Sequence, residues 1–207
     1  MTVAVDYYFS LISPWAYLGH AEFLKLAQKF NATIAYKPVP LGKLFPESGG
    51  LPLAKRHPLR QAYRLLELQR WREKRNIPLV LRPKFWPFDA GLADRTAIVT
   101  AQAHPEEAGT FLALAFRAVW VEEQNLAQVE ALHAILASLD LPAEALLASA
   151  QAEPAVDAYE ANLSDALSVG AFGSPSYVVD GEVFWGQDRL EMLAEMIESG
   201  RAPFTVD

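Results

Sequence analysis

Hydrophobic and polar positions change rhythm several times along the chain. Val3 to Phe9 is a short run of β-branched and aromatic residues, which at that length predicts a buried strand. From Pro14 to Phe30 Ala and Leu dominate, with Leu18, Phe23, Leu24 and Ala27 at helical spacing, and Thr33 to Pro38 returns to strand composition. A strand, a helix and a strand with short joints make one βαβ unit, whose strands are expected to run parallel through a right-handed crossover.

Beyond Pro40 the strand signal vanishes. Ser48-Gly49-Gly50-Leu51-Pro52 marks a loop, and Pro58 opens a helix expected to reach about Arg75, with Leu59, Tyr63, Leu66 and Trp71 near one face. Further helices are predicted over 89–103, 106–121, 126–138, 142–149 and 153–169. Strands return at Ser176–Val179 and Val183–Trp185, joined by the hairpin turn Asp180-Gly181, and a last helix over 188–199 stops at Gly200. The order is βαβ, helical block, ββα. It predicts one α/β domain, residues 1–42 and 165–207, split by an all-helical insertion over 43–164, because the first βαβ cannot cover its own sheet faces. Within the block, Phe111, Leu112, Leu114, Ala115, Phe116, Val119, Trp120 and Val121 leave little polar face. Such a helix is buried all round or meets a partner, and a homodimer is expected.

Composition narrows the function classes. With 207 residues, 52% of them hydrophobic, the chain can bury a sizeable core. A formal charge of −7 argues against general nucleic-acid binding, which needs a basic surface to neutralise phosphates. There is no cysteine, so disulfides, thiolate metal ligands and dithiol chemistry by the protein's own side chains are excluded. The N-terminus lacks the charged start and apolar run of a signal peptide, and no segment has the length of a membrane span. A cytoplasmic location with no membrane contact is expected, which empties the glycosylation match Asn162-Leu163-Ser164 of meaning. His20, His57, His104 and His133 show no metal spacing and are expected at the surface or at helix caps.

Several short motifs could carry chemistry, and each also has a purely structural explanation. Ser13-Pro14 is a helix start, with Ser as N-cap and Pro at the first helical position. The same helix end offers free N–H groups, a partial positive charge and a hydroxyl, which together favour a thiolate over a thiol. In a chain without cysteine that thiolate must belong to a ligand. Gln187-Asp188 begins the last helix, where Asp188 either caps it or receives a ligand's ammonium, with Trp185-Gly186 bringing the chain close. Arg56, Arg60 and Arg64 recur every four residues with Glu67 placed to pair with Arg64; they form a solvated face or a receptor for carboxylates. Gly173-Ser174-Pro175 leads into a strand, a position where proline is tolerated.

These residues resemble a known family. Asp6-Tyr7-Tyr8-Phe9 leading to Ser13-Pro14-Trp15-Ala16-Tyr17-Leu18-Gly19, Ala118-Val119-Trp120, Gly170 to Pro175, and Trp185-Gly186-Gln187-Asp188-Arg189-Leu190 are similar to the glutathione-dependent 2-hydroxychromene-2-carboxylate isomerases and the kappa-class glutathione transferases, relatives of DsbA. The resemblance covers nearly the whole chain. It implies a thioredoxin-like α/β fold with an all-helical insertion, in which a serine stands at the usual position of the nucleophilic cysteine. It also implies a cis Ser174-Pro175 bond facing that serine, with Ser13 holding the glutathione sulfur and Ser174 the cysteinyl backbone. Asp188 would meet the γ-glutamyl end, and Arg60 would help to hold the tripeptide. The chain departs from the pattern at Ser174, where relatives often carry Leu or Val, and at Gly50, nearest to an Asn of kappa-class members. The second departure leaves one polar glutathione contact unaccounted for. The implied activity is glutathione-dependent isomerisation of a small aromatic-pathway substrate; a kappa-like transferase or a non-catalytic thioredoxin-like binding protein are the alternatives.

Overall fold

The computed structural model describes residues 3–206. Its elements, in chain order, are β1 (Ala4–Phe9), α1 (Pro14–Lys29), β2 (Thr33–Pro38), α2 (Leu41–Glu47), α3 (Pro58–Arg75), α4 (Gly91–Ala103), α5 (Ala108–Trp120), α6 (Val129–Ser138), α7 (Ala143–Gln151), α8 (Glu153–Ser168), β3 (Ser176–Val179), β4 (Glu182–Trp185) and α9 (Leu190–Ser199). One sheet has the order β2-β1-β3-β4. β1 pairs parallel with β2, as the βαβ rhythm predicts, and antiparallel with β3, which pairs antiparallel with β4. No helix among the described residues is long and apolar enough to cross a membrane.

Strand alternation divides the core between the two faces of the sheet. Val5, Tyr7 and Phe9 of β1 enter a large cluster that reaches Phe23 of α1, Phe116 and Trp120 of α5, and Leu132 and Leu136 of α6. Tyr8 points the other way, into a smaller cluster with Val39, Leu44, Leu163 and Val178. Aromatic rings fill the first face: Tyr7 stacks on Phe9 at 4.5 Å and nearly parallel to Tyr177 at 5.3 Å. Because strand and helical-block residues share the large cluster, the α/β part and the insertion have one continuous core. The expected domain boundaries at 42/43 and 164/165 each fall inside a helix, α2 and α8.

The structure adds one element to these expectations and corrects three. A helix, α2, stands over Leu41–Glu47, just ahead of the predicted Ser48–Pro52 loop, despite Gly42 and an internal Pro46. Full burial of Leu44 against Tyr8 and Leu163 overrides weak propensity, contributing about 1.5–3 kcal/mol. Of the α3 stripe, Leu59, Tyr63 and Leu66 face outward, at 74%, 57% and 50% exposure, and only Trp71 packs against the core. The inward face instead carries Leu65, Leu68 and the stems of Arg64, Arg72 and Arg75, whose long apolar chains can be covered; Arg72 and Arg75 donate to the Leu79 carbonyl and to Gln187, while Arg64 only lies over the Trp86 ring. His20 is buried, not at the surface: Nε2 lies 3.0 Å from the Gly109 carbonyl and burial pulls its pKa down to about 4, so the neutral ring donates there. Finally, Phe111, Leu112, Ala115, Phe116, Val119 and Trp120 are all buried within one chain, so this run supplies no ground for a dimer face.

Candidate active site

The tight loop Ser10–Ser13 connects β1 to α1. Ser13 adopts extended backbone (φ −91°, ψ 115°) as N-cap of α1, and its Oγ accepts from the Ala16 N–H at 3.3 Å. The same hydroxyl donates to the Ser174 carbonyl at 3.0 Å. Ser174-Pro175 is a cis peptide, so the expected juxtaposition of Ser13 with this bond is present. The contact is reciprocal along the chain, since the Ser10 N–H donates to Ser174 Oγ at 3.1 Å. Ser13 is buried to 4% exposure with its hydroxyl at the positive end of a helix.

Every carbonyl of this loop is held. The Ser10 oxygen accepts from Ser13 N–H at 3.0 Å and the Ser13 oxygen from Tyr17 N–H at 3.2 Å. Leu11 accepts from the Trp120 indole at 3.2 Å, and Ile12 from the Trp86 indole at 2.9 Å. Behind the loop sits Asp94 of α4, fully buried. Its carboxylate accepts from Ser10 Oγ (2.7 Å), the Leu11 N–H (2.9 Å) and the Tyr159 hydroxyl (2.7 Å). Burial pushes its pKa up to about 7 against the pull of these donors. Asp94 was missed because it carries little signal in the sequence: beside Arg95 in the first turn of a helix it reads as an ordinary dipole-matching acid. Trp86 was also missed, and its bond to Pro87 is a second cis peptide.

Three adjoining cavities open around the loop, and Trp15, Phe45 and Arg56 line all of them. The inner one, about 790 Å³, is walled by Ser13, Trp15, Phe45, Trp86 and Phe88, with Arg64 and Arg56 among its polar groups. A second, about 310 Å³, is lined by Ser174, Trp185, Gln187, Asp188 and Glu67. The third, about 990 Å³, is outermost and carries Gly49, Gly50, Tyr63 and Arg60.

The candidate residues therefore converge unevenly. Ser13 and Ser174 meet directly, and Asp188 faces the small cavity that Ser174 also lines. Gly186 makes this possible: at φ +107°, an added Cβ would sit 2.3 Å from Asp188 Oδ1. Gly173 is likewise pressed against Trp185, with a virtual Cβ 2.2 Å from the indole nitrogen. Asp188 already pairs with Arg189 at 2.9 Å, in an exposed contact of small worth. Gln187 lines the cavity, but its Oε1 accepts from Arg75 at 2.9 Å, which commits that oxygen to the fold. Pro175 lines none of the three cavities, and its carbonyl accepts from the Gly186 N–H at 2.9 Å. Arg60 reaches only the outer cavity. The arginine stripe needs correction: Arg56 precedes α3 and lies off the helix, with Nε donating to the Leu51 carbonyl at 2.7 Å. Glu67 pairs with Arg70, not Arg64, because Arg64 lies over the Trp86 ring at 4.9 Å. No metal-binding cluster of His, Asp or Glu occurs among the described residues.

Residues 4–198 match the DSBA-like thioredoxin domain. The 2-hydroxychromene-2-carboxylate isomerase of Sphingobium xenophagum is 25% identical over 194 residues, covering 93% of this chain and 97% of the relative. Glutathione S-transferase kappa 1 of Caenorhabditis elegans is 27% identical over 210 residues, covering 94% and 90%. A solved 2-hydroxychromene-2-carboxylate isomerase superimposes with a TM-score of 0.83 at 27% identity, covering 95% of each chain. With that match spanning almost its full length, the chain belongs to the DsbA-like thioredoxin-domain family, within which it resembles the 2-hydroxychromene-2-carboxylate isomerases and kappa-class glutathione transferases.

Proposed function

We propose that the protein is a glutathione-dependent isomerase acting on a small conjugated aromatic substrate. One observation carries this: a cysteine-free chain presents Ser13 at a helix N-terminus, bonded to Ser174, which lines a cavity that also carries Asp188, Glu67 and Arg56, with Arg60 on the adjoining outer cavity. A tripeptide with one ammonium, two carboxylates and a thiol has the complementary set of groups. Relatives named as isomerases favour isomerisation over transfer.

When bound, glutathione supplies a thiolate that can add reversibly to a conjugated acceptor, so that a former double bond can rotate before the thiol is released. The protein's own contribution is to hold and to orient. Ser13 Oγ, turned from the Ser174 carbonyl, donates to the sulfur, while the α1 N-terminus lowers the cost of negative charge there. The Ser174 main chain, freed of that hydroxyl, can pair with an extended peptide backbone. Asp188 takes the ammonium, and Arg60 a carboxylate.

Glutathione should raise the melting temperature in a concentration-dependent way, since a ligand of the native state stabilises by mass action. In the same assay Asp188→Asn and Arg60→Ala should each require roughly tenfold more glutathione for an equal shift, the range for losing a charged hydrogen bond. The absence of a wild-type shift at millimolar glutathione would remove the proposal. Wild-type behaviour in both variants would remove the charge assignments alone.

A further inference from the structure

Three arginines line the inner cavity beside Ser13, and two of them are engaged: Arg95 Nε donates to the Ala150 carbonyl at 2.8 Å and Arg56 Nε to the Leu51 carbonyl at 2.7 Å. Arg64 has neither a hydrogen bond nor an ion pair among the described residues. Its guanidinium rests on the face of Trp86, 4.9 Å from the ring centroid. The two acids of the same cavity are also occupied, Asp89 by the Gly91 N–H at 2.9 Å and Glu160 by Lys43.

An unpaired, half-buried guanidinium is costly, because five donors lose water without gaining acceptors. Burial, followed by the nearby charge of Arg56, pulls the Arg64 pKa down to about 10, so it stays charged at neutral pH. It is also pre-aimed. Trp86 is fixed by its indole bond to the Ile12 carbonyl, so the ring that Arg64 lies over is held in place, and a guanidinium is the group that can meet a carboxylate in two bonds. The remaining walls, Trp15, Phe45, Trp86 and Phe88, suit a flat apolar body, and about 790 Å³ is the usual size for a small-molecule pocket.

We propose that Arg64 is the specificity-determining residue of the acceptor subsite, holding the carboxylate of a planar conjugated substrate whose rings lie among Trp15, Phe45, Trp86 and Phe88. Its role in the reaction rests on the glutathione-dependent function proposed above; the anion site itself rests on the unpaired guanidinium. Arg64 lines both the inner and the outer cavity, whereas Arg60 opens only on the outer one.

The test uses direct binding without turnover, with coumarin-3-carboxylate and uncharged coumarin as probes in calorimetric or fluorescence titration, and glutathione titrated separately. Wild type should prefer the carboxylate by tenfold or more. Arg64→Met should abolish that preference while leaving coumarin and glutathione affinities within about twofold, and Arg64→Lys should retain part of it. Arg60→Met should do the reverse, weakening glutathione and sparing the carboxylate. If Arg64→Met melts like wild type and still prefers the carboxylate, or if it loses glutathione affinity instead, the assignment is overturned. Should Arg64→Met fail to fold, full carboxylate preference in both Arg64→Gln and Arg64→Lys overturns it equally. Failure of wild type to bind glutathione, with carboxylate preference intact and Arg64-dependent, would reject the proposed reaction while leaving this subsite standing.

Discussion

Replacing Ser13 by Ala is expected to lower turnover about tenfold or more, a loss of at least roughly 1.4 kcal/mol of transition-state stabilisation. Glutathione affinity should fall much less, because in the proposed function the charged ends of the tripeptide are assigned to other residues, Asp188 and Arg60. The hydroxyl caps the α1 N-terminus, and it is already committed to that end of the helix through Ala16. The fold should survive, since the cap bond is long at 3.3 Å and loss of a Ser cap costs about 1 kcal/mol. Steady-state kinetics at saturating glutathione, alongside a melting curve, separate the two effects. Turnover equal to wild type in a variant that melts normally would remove Ser13 from the chemistry.

The largest stability effect is expected at Asp94. In Asp94→Ala, Ser10 Oγ, the Leu11 N–H and the Tyr159 hydroxyl lose a shared acceptor in a fully buried place. Stranding buried donors in this way costs about 3–5 kcal/mol in total, which for a chain of this size lowers the melting temperature by about 10 °C or more. The pH dependence has a definite sign. The native pKa of about 7 lies above the ordinary carboxylate value, so the folded state holds this proton more tightly than the unfolded chain. The stability that Asp94 contributes by protonation is complete at low pH, below the unfolded pKa, and is lost as pH rises through about 7. Compared with the non-titrating Asp94→Asn, wild type should therefore gain relative stability as pH falls from 8 to 5. Parallel melting curves for the two proteins across that range would show that Asp94 does not titrate there.

The parts of the site that can be read from the chain are those written in local grammar. Ser13-Pro14 is a cap followed by a first-turn proline, and Gly173-Ser174-Pro175 leads into a strand. Trp185 to Asp188 closes a hairpin and starts a helix; each pattern occupies a few consecutive residues. The parallel pairing of β1 with β2 follows from the same local logic, because a single helix joins them. What escapes is long-range. Asp94 lies 83 residues from its partner Leu11, and Trp86 lies 74 from Ile12, so no window along the chain contains both halves of either contact. Arg64 and Glu67 are misread for a related reason. Helical spacing says which residues share a face, but it cannot say that an indole from another segment will outcompete a carboxylate one turn away. The outward face of α3 fails likewise, since periodicity finds a stripe without saying which stripe the rest of the protein will cover.

The anchoring of the Ser10–Ser13 loop bears on how this architecture can diverge. Its fixing groups come from α4 through Asp94, from α5 through Trp120, from α8 through Tyr159, and from Trp86 ahead of α4. The helical block is thus the mould in which the serine is cast, as well as a wall of the inner cavity. A chimera that imported another protein's block to acquire its substrate preference would import a different mould with it, and would have to carry the four anchors in register to keep the serine in place. Stepwise change is less constrained. Side chains on the cavity side, such as Arg64 and Phe88, can be exchanged while Asp94, Trp120 and Tyr159 stay untouched. New preferences should therefore arise in this lineage by substitution on one surface of the block, with the block itself inherited whole.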